Sequence, residues 1–169
     1  MIKLIYEVLG FIGVGLNAAV YQQKKREKLL IFKLISDVVW MFHYGIPHNY
    51  SGAAVAAIGI VRESTFLATD RKGIDRRPFL LVFLGCACFS VWLTWSGWFS
   101  VLPAMASFLS VISFWQQKPR VSRLLALPIS ACMVTYSIMS NSWAGIANEI
   151  FTVSSTVVGI IRHDIRRND

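Results

Sequence analysis

Apolar residues fall into seven runs of roughly one bilayer width, at 2–21, 29–46, 51–69, 78–95, 98–115, 124–140 and 143–161, separated by short polar connections. A hydrocarbon layer of about 30 Å needs roughly 20 apolar residues per helix, somewhat fewer where flanking groups snorkel. The pattern predicts an all-α membrane protein with seven transmembrane helices. The connections alternate in character. Gln22 to Lys28, Asp70 to Arg77, Gln116 to Arg123 and the tail from Arg162 are basic, whereas Pro47 to Tyr50, Ser96-Gly97 and Asn141-Ser142 carry no Lys or Arg. All of the 17 Lys and Arg except Lys3, Lys33 and Arg62 lie in the four basic connections. By the positive-inside rule this puts the N-terminus outside and the C-terminus in the cytoplasm of a bacterial-type inner membrane.

Composition agrees with a lipid-facing chain. At 169 residues, 55% hydrophobic and 15% charged, it has more apolar surface than a soluble domain of this length could bury. The net charge of +8 sits in clusters between apolar runs, not on a face interleaved with aromatics, so nucleic acid is not an expected partner. Cys86, Cys88 and Cys132 lie inside apolar segments, and neither a disulfide nor a metal site is expected. The first run resembles a signal peptide only superficially: Glu7 interrupts it, and its positive cluster, Lys24-Lys25-Arg26 with Lys28, follows it.

The sequence also echoes itself. Gln22-Gln23-Lys24 recurs as Gln116-Gln117-Lys118, Leu29-Leu30 matches Leu124-Leu125, and Gly52 matches Gly145. Three helices, a linker helix and three helices follow, with boundaries at 1–69 for a first triple-helix bundle, 70–97 for a basic loop and the linker, and 98–169 for a second bundle with its basic tail. One linker helix inverts the chain once, so the two triplets share an orientation, as in the parallel repeats of some secondary transporters. The competing reading is that apolar helices with basic ends resemble one another by default.

The residues Gln22-Gln23-Lys24, Leu29-Leu30, Asp37, Trp40, His43-Tyr44, Gly52-Ala53-Ala54 and Arg62 resemble the YgjV family of bacterial inner-membrane proteins over nearly the whole chain. The three-one-three organisation is similar to PQ-loop and SWEET-type proteins, in which two three-helix bundles enclose a solute pathway. Tyr21 and Trp115 stand where a Pro-Gln pair would have its proline, and Pro119 comes only afterwards. The SWEET likeness implies a solute-binding asparagine at Asn148, while the aligned residue of the first bundle is Val55.

Ionisable residues inside a membrane face a partner, the bundle interior or a water-filled cavity. Asp37 and Arg62 lie roughly 12 and 11 Å from the cytoplasmic ends of the second and third helices, and Asn17 about 8 Å from that of the first. The three share a layer, and contact between Asp37 and Arg62 is expected, either as a structural ion pair or as part of a gate or solute site with Asn17. Lys33, one turn before Asp37, offers a competing intrahelical pair. Glu63 is expected to reach the cytoplasmic interface. Toward the outside, Glu7, His43 and Asn148-Glu149 lie roughly 6 to 10 Å from their helix ends. Glu149, with His43 and Glu7, forms a candidate proton site; the alternative is solvation at the membrane surface. Tyr50, Trp95, Trp98 and Trp143 fit an interfacial belt. Gly10, Gly13 and Gly15, with Gly52, Ala56 and Gly59, form small-residue faces suited to close packing.

These features point to a small-solute transporter rocking two bundles about a central site, with substrate-binding or gating residues Asn17, Asp37, Arg62 and Asn148. A non-transporting receptor or assembly partner is the alternative. No nucleophile with an adjacent base is evident, so enzymatic activity is not expected, nor is a cofactor or metal. The expected partners are the lipid bilayer and an unidentified small solute; a homo-oligomer stays open.

Overall fold

The structure is a computed structural model that describes residues 2–46, 50–95, 97–139 and 143–165, with the side chains of residues 2–7, 50–52, 54, 93, 94, 99, 143 and 144 outside the description. Among the described residues there are seven α-helices and no strand: α1 (Ile2–Tyr21), α2 (Arg26–Gly45), α3 (Tyr50–Lys72), α4 (Arg77–Thr94), α5 (Val101–Trp115), α6 (Pro119–Met139) and α7 (Trp143–Ile160). A 3-10 turn, Trp98–Ser100, precedes α5, and a π-helical turn, Ile161–Ile165, follows α7.

Helix limits follow the local chemistry. Pro78 in the first turn of α4 and Pro119 at the start of α6 occupy positions where a missing N–H costs no helical bond. Gly73, at φ +65°, ends α3 in a left-handed conformation that side chains disfavour. At the basic end α2, α3 and α6 extend beyond their apolar runs, whereas α5 starts three residues inside its run. Arg26 to Lys28 form the first turn of α2, Pro119 to Arg123 open α6, and α3 continues to Lys72. A helical backbone satisfies its own polar groups, so it extends through the charged interface while long basic side chains reach outward.

Hydropathy is unevenly spread over these helices. By length and mean hydropathy only α6 among the described helices qualifies to cross a membrane, and Val8–Tyr21, Arg77–Trp92 and Val101–Trp115 are apolar but shorter. In α2 and α3 the cause is visible in the sequence: Lys33, Asp37, Arg62 and Glu63 lie in mid-helix. Large apolar side chains nonetheless face outward, among them Phe11, Leu81, Phe89, Trp92 and Phe151, more than an aqueous surface ordinarily carries. Trp95 and Trp98 are also exposed.

Packing is strongest between α2 and α3, α1 and α2, α5 and α6, and α6 and α7, while α1 also lies on α7 and α4 on α5. The basic connections collect at one end of this set, the basic end. Its core is apolar: Val20, Leu29, Leu30, Phe66 and Phe114 are almost fully buried, and the Phe66 and Phe83 rings meet edge to face at 5.5 Å. The small-residue faces divide. A Cβ on Gly10 or Gly13 would stand 2.9 Å from the ring of His43 or Trp40, and one on Gly59 would collide with the Asp37 carboxylate, whereas Gly15 has nothing within 4 Å.

The tightest backbone approach lies elsewhere, at Gly159 of α7, where a Cβ would stand 2.5 Å from the Tyr21 carbonyl oxygen. Backbone cannot rotate away as a side chain can, so Gly159→Ala is expected to cost about 1–3 kcal/mol of stability. Gly15→Ala should be neutral or slightly stabilising through helix propensity. Thermal unfolding of the detergent-purified variants checks this: equal melting temperatures would mean that α1 and α7 do not approach so closely.

Candidate functional site

A central cavity of about 300 Å³ is lined from both halves of the chain. Lys33, Asp37, Trp40, Tyr44 and Arg62 come from α2 and α3, Ser90 from α4, and Ser107, Ser110, Met133 and Asn148 from α5, α6 and α7. Trp40 and Tyr44, one turn apart, stack at 5.4 Å. Hydroxyls, an amide and two aromatic rings give the cavity groups that hydrogen-bond and groups that stack, the mixture found in sites for small polar molecules.

At the edge of the cavity nearer the basic end, four charges gather. Lys33 forms an ion pair with Asp37 one turn along α2. Arg62 Nε and Nη2 donate to Glu63 Oε1 at 3.0 and 2.7 Å. Glu63 is fully buried, and its Oε2 has no hydrogen-bond partner. The missing side chain of Gly59 leaves room for both carboxylates, which approach the same point beside it. From α5, Phe114 covers the cations: Lys33 Nζ is 5.8 Å and Arg62 Cζ 5.2 Å from its ring centroid, positions in which the ring quadrupole attracts positive charge. Two acids and two bases make the cluster neutral as a whole.

This arrangement corrects several expectations. Asp37 and Arg62 share the cavity, yet each is paired on its own helix, because Lys33 lies one turn from Asp37 and Glu63 is adjacent to Arg62. Glu63 does not reach an interface; it is the most deeply buried of the described carboxylates. Asn17 does not line the cavity and donates to Thr152 Oγ1 at 3.3 Å, joining α1 to α7. Asn148 lines the cavity, donates to Glu149 Oε1 at 3.1 Å, and keeps a buried Oδ1 without a partner. Glu149 does not line the cavity. His43 packs against Gly10 and the rings of Trp40 and Tyr44, also away from the lining. The side chain of Glu7 lies outside the described residues.

Charges taken from sequence as loop signals close the basic end. Arg123, 2% exposed, donates to the carbonyls of Tyr21 and Gln23 at 3.4 and 3.1 Å and bonds Asp164 through two nitrogens at 2.9 and 2.6 Å. On the other side Arg26 donates to the Phe114 carbonyl at 2.7 Å and to Asp70 at 2.6 Å, and Arg76 bonds the Trp115 carbonyl at 2.9 Å and Asp70 at 3.1 Å. The last carbonyls of a helix have no intrahelical donor and carry its negative dipole end, so arginine suits them on both counts. Each half thereby reaches the C-terminal end of the other half's first helix. One signal was available in the sequence: Asp70 and Asp164 are separated by the same interval as Gln22 and Gln116.

A family model described as Imp-YgjV, bacterial inner membrane protein, matches residues 4–167. The chain belongs to this family. The chain is therefore a bacterial inner-membrane protein, and buried charges such as those around Gly59 are costly wherever they lack a partner. No curated protein and no solved structure matches the chain, so no match supports the expected similarity to PQ-loop and SWEET-type proteins.

The pairing of Arg62 is directly testable. Arg62→Ala should cost about 3–5 kcal/mol, because it strands a fully buried carboxylate. Adding Glu63→Gln should restore most of that loss, whereas adding Asp37→Asn should not. Unfolding of the two double variants in detergent decides between the partners: rescue by Asp37→Asn instead would return Arg62 to Asp37.

Proposed function

We propose that the chain crosses the inner membrane seven times, N-terminus periplasmic and C-terminus cytoplasmic, and carries a small polar solute without chemical conversion. The observation that carries this reading is a single cavity, part charged and part aromatic, lined by side chains from both halves. In the proposed mechanism two triple-helix bundles, α1 to α3 and α5 to α7, rock about this cavity, with α4 as the linker. The equal spacing of Asp70 and Asp164 with the repeated Gln-Gln-Lys supports the repeat, as do the reciprocal arginine contacts that each aspartate backs.

The basic end is the closed gate of this mechanism. Below the charge cluster Leu30, Phe66 and Phe114 are almost fully buried, and Arg26, Arg76 and Arg123 tie the halves together. Opening toward the cytoplasm breaks these charge-assisted bonds, each worth about 1.5–3 kcal/mol, while the paired charges around Gly59 present polar groups to the solute. A receptor on the same scaffold is the second reading. It is favoured by one asymmetry: among the described residues the charged side chains that line the cavity, Lys33, Asp37 and Arg62, all belong to α2 and α3.

Two measurements test the proposal. Reporter fusions after Tyr50 and Ser142 should be active in the periplasm and those after Arg77 and Asp169 silent; periplasmic exposure of residues 116–123 would overturn the orientation. For the mechanism, a single cysteine at Ser110, with Cys86, Cys88 and Cys132 replaced, is expected to react with an impermeant thiol reagent from the periplasm. Adding Arg26→Gln and Arg123→Gln should raise cytoplasmic labelling about tenfold or more, since every 1.4 kcal/mol is a factor of ten. Labelling from one side alone in every variant would exclude alternating access and favour the receptor.

A further inference from the structure

Some of the described cations at the basic end are paired with carboxylates, and others, Lys72, Arg77, Lys118 and Arg120 among them, are not. Arg26, Arg71, Arg76 and Arg123 are each bonded to a carboxylate of the fold. Among the described residues Lys24, Lys25, Lys28 and Arg162 have no acidic partner, and all four line one cup of about 330 Å³ between the end of α1, the first turn of α2 and the turn after α7. Among the described residues no carboxylate lines it.

The walls of the cup are fixed by bonds that leave its charge uncompensated. Gln22 donates to the Ser155 carbonyl at 2.6 Å, and Gln23 to the Ala19 carbonyl at 3.1 Å. The negative end of α1 would partly offset four cations, but the carbonyls at and just beyond that end are already occupied. Arg123 donates to those of Tyr21 and Gln23, and His163 Nε2 donates to that of Gln22 at 3.0 Å. Burial holds the His163 imidazole below its ordinary value, and Arg123, Lys24 and Arg162 act in the same direction despite the opposing bond to Gln22. The ring is thereby shifted toward its neutral form, and among the described residues the cup is lined by four side-chain cations.

We propose that this cup binds the phosphate group of an anionic phospholipid headgroup. It lies where α1 and α2 pass from apolar to charged sequence, the level at which headgroups sit. Lys24, Lys25 and Lys28 are exposed, and long lysine stems extend along a bilayer surface toward phosphate. Above the cup α1 leaves Val8, Phe11 and Ile12 exposed at helical spacing, an apolar surface for the acyl chains. A free phosphate would meet the same cations without that second contact. The assignment rests on membership of an inner-membrane family and not on transport, so it stands or falls separately from the proposed function.

Native mass spectrometry of the full chain in neutral detergent, titrated with phosphatidylglycerol, phosphatidylcholine or inorganic phosphate, tests the assignment. One phosphatidylglycerol should be retained at least tenfold more tightly than phosphatidylcholine. The variant carrying Lys24→Gln, Lys25→Gln, Lys28→Gln and Arg162→Gln should lose that preference, while Lys118→Gln with Arg120→Gln, which removes charge from another basic connection, should keep it. If the fourfold variant does not fold, the pair Lys24→Gln and Lys28→Gln, two exposed side chains without bonds to the fold, serves instead and should weaken retention severalfold. Equal loss in the Lys118 and Arg120 variant would reduce the effect to general surface charge and overturn the site. Binding of inorganic phosphate with no preference between the two lipids would overturn the lipid assignment.

Discussion

Arg123 sits where three parts of the chain meet, and their packing depends on its guanidinium. It is nearly inaccessible to solvent, yet its nitrogens reach the carbonyls that end α1 and, through Asp164, the turn that follows α7. A buried guanidinium is tolerable only when its donors are satisfied and its charge is met. That requirement fixes the crossing of α1, α6 and α7 more firmly than apolar contact can in lipid, where side chains gain little by leaving acyl chains for one another. The absence of a side chain at Gly159 lets the backbones come close enough for the bonds to form. Arg26, Arg76 and Asp70 place the same requirement on α2, α3 and α5.

A second constraint operates deeper, between α2 and α3. Lys33, Asp37, Arg62 and Glu63 lower the apolarity of their helices, and the fold accommodates them by local pairing, with Gly59 making room and Phe114 supplying a ring face from α5. Local pairing has a mechanical consequence. Neither of these ion pairs joins α2 to α3; the salt bridges that do, Arg26 to Asp70 and Glu27 to Arg71, lie at the basic end, where Arg26, Arg76 and Arg123 also reach carbonyls of the other half. Resistance to motion is thus concentrated at the basic end, and the cavity beside the cluster is left with polar groups that meet an incoming molecule.

The helices and their basic end were legible because hydrophobicity and charge act locally. A run such as 124–140 must be helical in lipid, where no water satisfies its backbone, and a basic cluster beside it marks an end. The pairing of Lys33 with Asp37 was open to the same reasoning, since four residues make one helical turn. Arg62 with Glu63 was not: adjacent residues on a helix point in different directions, and only bending of a long arginine around Gly59 and Phe114 brings the groups together. Asn17 likewise has a helical depth that the sequence gives and a partner, Thr152, that depends on how α7 crosses α1.

Sequence by itself determined membership of an inner-membrane family, an all-helical chain, and the position of every charge along its helix. Those properties follow from short-range chemistry, in which each residue's contribution is nearly independent of the fold. Tertiary structure alone decided which charges are buried. Arg123, Arg26 and Arg76 look in sequence like any other basic connection, and Lys24, Lys25 and Lys28 look the same as they do. The first group meets carbonyls and aspartates across the helix set, and the second meets none. Whether a charge finds a partner is a question of distance between segments remote in the chain, and that distance is set by helix crossings, which the order of residues does not record.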